Sequence, residues 1–404
     1  LEVIGGLSFL FEWIGRFTRF LAFKISGPTR QPEQPTMSNE SDPGPQEPPS
    51  EVVNQAIGQE LLVEDSVVKS FWPRWNQASM AKLIDAEKKT SQFIKVRHYN
   101  SSINTITVKK TSDEKPHPVP FVLIHGFAAG IAIWKKNLKD LVETRTVHAF
   151  DLMGFGRSSR PPFSTDPTLA ELEFVQSIED WRKAMNLERM ILIGHSFGAY
   201  LASAYALEHP GRVRHLVLVD PWGFSERPHG AQILIPIWMR AIGSVMSKFN
   251  PLAAVRAAGP LGPYLIQKLR ADLGVRYSHD DPQAIYDYIY QCNAQAPSGE
   301  IAFRSLTRGF GWPRRPMVHR FAGISQGLPV TFVLGSKSWV NSEPIFEIQN
   351  NRTACFVKVV NGAGHHVYAD QPEQFNRVIN DVSEIVDKEL DLDPGYKPDQ
   401  ETES

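Results

Sequence analysis

Gly194-His195-Ser196-Phe197-Gly198 follows the apolar run Met190-Ile191-Leu192-Ile193 and precedes an Ala-rich helical stretch, Ala199 to Leu207. This is G-x-S-x-G in the context of strand, sharp turn and helix. The two glycines let the turn tighten until Ser196 stands at its tip with its hydroxyl exposed. The amide of Phe197 then opens the helix, where it can face an oxyanion. Five residues alone arise by chance, so the flanking sequence decides whether they define a fold.

Outward from the serine, apolar runs at Phe121–Ile124, Thr146–Phe150, Met190–Ile193, His215–Val219, Val330–Leu334 and Cys355–Val360 alternate with helical stretches. The alternation predicts an α/β domain over residues 92–390, its mostly parallel sheet covered by helices on both faces. Residues 221–327 break the rhythm with helical patterns at Ile233–Phe249, Tyr264–Leu273 and Gln283–Cys292. An insertion there sits above the carboxyl ends of the strands, where ligands bind in open α/β sheets, and reads as a lid.

A serine hydroxyl attacks poorly unless a base takes its proton. Gly362-Ala363-Gly364-His365 follows the last apolar run, and the glycines permit a tight loop that presents the imidazole. His365 is chosen over His366 because it directly follows Gly364. An oxyanion hole needs two N–H donors. Phe197 supplies one, and Phe127 of Ile124-His125-Gly126-Phe127-Ala128 supplies the other. Trp134 reads as a packed ring.

The acid is less direct. The loop Gly335-Ser336-Lys337-Ser338-Trp339-Val340-Asn341 holds no Asp, and Asn341 stands where the carboxylate is expected. An amide orients an imidazole without charge, and an Asp-to-Asn change in a serine protease costs about 10⁴ in turnover. Asn341 or Glu343 ranks first and Asp220 second. Asp370 completes His365-x-x-x-x-Asp370, a spacing associated with acyl transfer. The favoured explanation is a helix cap, with Pro372 and Glu373 in the first turn that follows. The loop Asp151–Ser158 has glycines, but its spacing matches no phosphate loop. It reads as structural, with Asp151 hydrogen-bonding backbone.

The 404 residues carry a net charge of −1 and suffice for one large domain with a tail or for two small domains. No basic excess points to nucleic acid. Cys292 and Cys355 lack metal-ligand spacing, so a reducing compartment fits, and neither metal nor cofactor is expected. No apolar run reaches the ~18 residues of a spanning helix. The chain begins with Leu1, as a fragment or partial translation would, and Met37 is a candidate start. Residues 1–25, with Leu7, Leu10, Phe11, Ile14, Phe17 and Leu21 at helical spacing, read as an amphipathic membrane-surface segment, a leader or an untranslated extension. Residues 26–66 read as a disordered linker and 391–404 as a disordered tail. Within 67–91, Phe71, Trp72 and Trp75 suit a lipid headgroup interface or pack on the domain.

Several strings together resemble a known family. They are Trp72-Pro73-Arg74-Trp75 with Ala86-Glu87-Lys88, His125-Gly126-Phe127, Asp151-Leu152 with Gly154-Phe155-Gly156-Arg157-Ser158-Ser159-Arg160-Pro161, and Asp220-Pro221-Trp222-Gly223-Phe224. The last is Gly362-Ala363-Gly364-His365 with Val367-Tyr368-Ala369-Asp370-Gln371-Pro372-Glu373. From about Val67 to Val386 the chain resembles the α/β-hydrolases, and more narrowly the abhydrolase-domain 4/5 subfamily. The resemblance implies an eight-stranded sheet and a serine hydrolase of membrane lipid acyl esters, on lysophospholipid or N-acyl phospholipid. Its alternatives are a lipid-droplet coactivator of a triacylglycerol lipase and a lysophosphatidic acid acyltransferase. The implied location is cytoplasmic and peripheral, on lipid droplets or intracellular membranes, mitochondria included. The coactivator branch has Asn at the nucleophile, where this chain has Ser196. Both branches place Asp where this chain has Asn341.

Overall fold

The computed structural model describes residues 91–109, 119–227, 251–277, 282–308 and 311–391. The segments expected at 1–25 and 26–66, the aromatic residues Phe71, Trp72 and Trp75, the Ile233–Phe249 stretch and the tail beyond residue 391 lie outside the described residues.

Eight strands form one sheet: β1 (Ser91–Val96), β2 (Ser101–Val108), β3 (Phe121–Ile124), β4 (Val147–Phe150), β5 (Met190–His195), β6 (Val213–Val219), β9 (Val330–Gly335) and β10 (Cys355–Val360). β7 (Thr307–Arg308) and β8 (Trp312–Pro313) make a separate short hairpin. The sheet order is β1-β2-β4-β3-β5-β6-β9-β10. β1 pairs antiparallel with β2, and β2 antiparallel with β4, while every later pairing is parallel. The inner strands are wholly buried, which explains their near-continuous apolar runs. β10 is an edge, with Phe356 and Val359 exposed and Lys358 between them, and a charge on an edge discourages further pairing.

Helices cover both faces. Phe197–Glu208 is buried on nearly all sides, so its Ala-rich sequence needs no polar face. Pro167–Ala184 packs against it and starts on Asp166, whose carboxylate accepts from Thr168 N and Leu169 N at 2.9 Å each. On the opposite face, Pro372–Asp391 turns Phe375, Ile379, Val382 and Val386 to the sheet, spaced four, three and four apart.

Between β6 and β9 the described lid consists of the helices Pro251–Ala257, Gly262–Leu269, Ala271–Arg276, Pro282–Ala294 and Ser298–Leu306. The pattern expected over Tyr264–Leu273 is two helices, because Arg270 leaves helical geometry at φ −134, ψ 52. The lid has its own small core of Val255, Leu265, Ile266, Leu273, Ile285 and tyrosines 286, 288 and 290. Polar ties bind it to the domain. Arg160 donates to the carbonyls of Gly154 and Gly156 below and of Cys292 and Ala296 above. Asn293 Nδ2 reaches Ala128 O at 2.8 Å, and Tyr288 Oη accepts from Ala132 N at 3.1 Å.

Candidate active site

β3 is the switch point of the sheet, since β4 lies on one side of it and β5 on the other. In such sheets the crevice at the carboxyl ends of the strands holds the ligand. Ser196 stands there, between β5 and the helix Phe197–Glu208, in the left-handed region at φ 54, ψ −115. Such a conformation costs a non-glycine residue about 1–3 kcal/mol and persists only when its surroundings impose it. Two glycines give the packing the room to do so. A Cβ on Gly194 would lie 2.4 Å from Gly198 O, and one on Gly198 would lie 2.5 Å from His125 O.

Ser196 Oγ lies 3.0 Å from His365 Nε2. His365 Nδ1 lies 2.5 Å from Asp220 Oδ2. With a carboxylate on Nδ1, the neutral ring keeps its proton there and turns the Nε2 lone pair to the serine. Asp220 follows β6, is buried and adopts φ 43. Its carboxylate also accepts from Gly335 N at 3.3 Å and from the hydroxyl of Ser338. The Trp339 ring lies 4.8 Å from the imidazole, centroid to centroid.

This geometry corrects the expected ranking of the acid. Asn341 is exposed, and its Oδ1 accepts from Glu343 N at 2.9 Å in a turn that opens the helix Glu343–Asn350. Glu343 is exposed in that first turn, where a carboxylate suits the helix dipole. The loops after β6 and β9 open side by side because the two strands pair, and the inner one carries the carboxylate.

The residues of the two proposed oxyanion donors, Phe127 and Phe197, flank Ser196, Phe197 as its next neighbour in the chain and Phe127 next to Gly126. A Cβ on Gly126 would meet Ser196 Cβ at 3.1 Å, so the loop carrying Phe127 passes directly over the serine. Among the described residues, neither the Phe127 nor the Phe197 amide has an acceptor. The loop is fixed from behind. His125 Nδ1 donates to Gly126 O at 2.7 Å and Nε2 accepts from Leu152 N at 3.0 Å, which sets the tautomer. Asp151 accepts from Asn104 Nδ2, Ile131 N and Arg157 N, a structural role that ties its own loop to strand β2 and to the 3-10 turn at Ile131.

His195 lies beneath the base. Burial, with His365 beside it, holds its pKa well below the usual histidine range, so the ring is neutral. Its Nε2–H donates to His365 O at 2.9 Å. Burial likewise keeps His366 neutral. Asp370 does not cap the last helix. It ends the short helix Val367–Asp370, Gln371 separates it from Pro372, and its carboxylate accepts from Gly364 N at 2.8 Å and from Arg276 of the lid. Trp134 is fully buried against Tyr368, as a packed ring.

Aromatic rings wall the crevice. Phe127 and Phe303 stack at 4.3 Å, and Phe303 lies 4.9 Å from Phe197 and 4.7 Å from Trp222. Phe303, Ser338 and Arg276 were not among the residues singled out by motif, since nothing in their local sequence marks them. Among the described residues, no group of three or more His, Cys, Asp or Glu is placed to hold a metal ion. No helix of the described residues is long and apolar enough to cross a membrane.

The strand order, the elbow serine and the lid define a class, and the sequence agrees with it. The alpha/beta hydrolase fold family matches residues 119–372, and the chain belongs to that family. Within it, the chain is 47% identical over 294 residues to the pig 1-acylglycerol-3-phosphate O-acyltransferase ABHD5, covering 71% of this chain and 84% of that one. It is 45% identical over 294 residues to the human (lyso)-N-acylphosphatidylethanolamine lipase, with the same coverage of 71% and 84%. These are the two branches of the abhydrolase-domain 4/5 subfamily that the sequence strings resemble. A crystal structure of a bacterial membrane phospholipase A superposes with a TM-score of 0.57 at 22% identity, over 77% of this chain and 93% of that one, and supports the fold.

Proposed function

We propose that the protein is a serine hydrolase of lipid acyl esters, acting on lysophospholipid or N-acyl phospholipid. The observation that carries the reading is the unbroken hydrogen-bonded chain from Asp220 through His365 to Ser196. Ser196 Oγ attacks the ester carbonyl while His365 Nε2 takes its proton, and Asp220 stabilises the imidazolium that forms. The oxyanion falls between the amides of Phe127 and Phe197. The tetrahedral intermediate collapses as His365 protonates the departing lysolipid or glycerol oxygen, leaving the acyl group on Ser196. A water activated by the same imidazole releases the fatty acid.

The ring wall of Phe127, Phe303 and Trp222 supports a long acyl chain, because apolar rings beside the nucleophile bury methylenes at about 0.8 kcal/mol each. The lipase relative has the same substrate class in its name. The lid over residues 221–327 and the aromatic residues Phe71, Trp72 and Trp75 would hold the enzyme to a membrane or droplet surface. The acyltransferase relative favours a second outcome for the same acyl-enzyme, in which a lysophosphatidate hydroxyl replaces water as the acceptor.

The test is labelling by a fluorophosphonate probe followed by a panel of lysophospholipid, N-acyl phospholipid and neutral lipid substrates. Labelling at Ser196 that vanishes in Ser196→Ala, with turnover on the phospholipid arm, is expected. A folded protein that neither labels nor turns over any ester refutes the reading.

A further inference from the structure

We infer that Asp370 is a positioning residue that couples docking of the lid to the placement of His365. The inference rests on reading His365 as the base. The spacing His365-x-x-x-x-Asp370 is explained by geometry. Asp370 N and Ala369 N both bond His366 O, so the chain makes one helical turn and brings the carboxylate back to the loop that carries the imidazole. There Oδ2 accepts from Gly364 N at 2.8 Å, one residue before His365.

The other carboxylate oxygen faces the lid. Oδ1 accepts from Nε of Arg276, at the end of the lid helix Ala271–Arg276. Arg276 is itself held by Asp272, which Arg270 grips through Nε at 3.0 Å and Nη2 at 2.9 Å. Next to it, Tyr277 Oη donates to Ile133 O at 2.8 Å, so the lid segment docks in one register. The His365 loop is thus suspended. Its inner side hangs from the core through His195 Nε2 on His365 O and Lys337 N on Ala363 O at 2.8 Å. Its outer side hangs from Asp370.

The side chain of Asp370 is 14% exposed, so its charge is partly desolvated and depends on a partner. A lifted lid withdraws Arg276. The carboxylate then turns to water, which weakens its hold on Gly364 N. The imidazole must stay within a fraction of an ångström of its serine to act, so a slack loop lowers the rate of the chemical step rather than substrate affinity.

The experiment uses the full chain with Arg276→Gln, Asp370→Asn, the double variant and Arg276→Lys. Hydrogen exchange is read on the peptide spanning residues 361–366, and the rate of Ser196 labelling by a small fluorophosphonate is read beside it. Each single variant is expected to speed exchange of that peptide and slow labelling by roughly tenfold, with exchange in β5 and β6 unchanged. KM for a short soluble ester should hold, the double variant should be no worse than the worse single, and Arg276→Lys should recover part of the loss. Wild-type exchange at 361–366 in Arg276→Gln overturns the coupling, as do losses that multiply in the double variant. A wild-type protein that never labels refutes the enzyme reading, and the exchange comparison then decides the coupling alone. If Asp370→Asn fails to fold, Arg276→Gln and Arg276→Lys decide it.

Discussion

Asp220 and His365 are 145 residues apart in the chain and share a 2.5 Å contact between Oδ2 and Nδ1. That contact puts a carboxylate from the end of β6 on the imidazole, while the neighbouring strand β9 ends in a loop whose Asn341 serves a helix. On the proposed mechanism, removing the charge should therefore cost what it costs in Ser-His-Asp enzymes. Asp220→Asn is expected to lower kcat on a soluble ester by about 10⁴. Asn341→Asp and Asn341→Ala should stay within about threefold of wild type, with Asn341→Ala losing up to ~1 kcal/mol of stability. Steady-state kinetics on the three variants check this, and a large gain from Asn341→Asp would move the acid back to the β9 loop.

The aromatic wall should set chain-length preference. Phe303 touches Phe127, Phe197 and Trp222 but no reacting atom. Phe303→Ala is expected to raise KM for a long-chain lysophospholipid about tenfold or more while leaving kcat on a short ester nearly unchanged. Equal losses on both chain lengths would mean the wall supports the elbow instead of the substrate.

Close backbone approach makes the elbow intolerant of a single methyl group. Gly198→Ala would put a Cβ 2.5 Å from His125 O and 2.6 Å from Ile124 O. Since neither is a movable side chain, the loop bearing Phe127 must shift. A loss of about 1–3 kcal/mol in stability is expected, together with loss of labelling at Ser196. Normal labelling at full stability would show that the loop can retreat without harm.

Stability should also depend on pH in a defined window. Burial lowers the pKa values of His148 and His215 to about 4, from 6.5. His125, His195 and His366 are shifted in the same direction. As pH falls below about 6.5, the unfolded chain takes up protons that the folded chain refuses, so stability drops. For His148 and His215 the drop ends near 4. Urea midpoints measured across that range should fall, and His148→Gln with His215→Gln should reduce the slope. An unchanged slope in the double variant would exclude these two residues as its source.

Local signals made much of this molecule legible. The elbow, His365 and the Phe127 loop are announced by glycines next to apolar runs, because tight turns and close approaches leave a mark in the sequence itself. The parallel strands β3 to β6 and β9 are announced by apolar runs that are buried on both faces, and the edge strand β10 by its run Cys355–Val360 despite Lys358. β1 and β2 were not, since β2 mixes buried Ser101, Asn104 and Thr105 with its apolar residues and shows no simple period. The acid escaped for a different reason. Two paired strands end side by side, and only the three-dimensional arrangement tells which end reaches the imidazole. The usable clue was Asp220 itself, a carboxylate directly after an apolar strand and before Pro221. Asp370 misled because a single residue, Gln371, separates it from the helix it was expected to cap.

With the acid on β6, the segment from Ser336 to Asn341 is released from the reacting chain and keeps only supporting duties, such as the Ser338 hydroxyl on Asp220. Position 341 itself can then vary at little cost to chemistry, while Ser338 and Trp339 stay tied to Asp220 and His365. A census of pseudoenzymes that scores the loop after β9 for a carboxylate would discard this chain as dead. A gene copy that had lost only Asp220 would score the same in that census, although it would lack the carboxylate that meets His365 Nδ1 here.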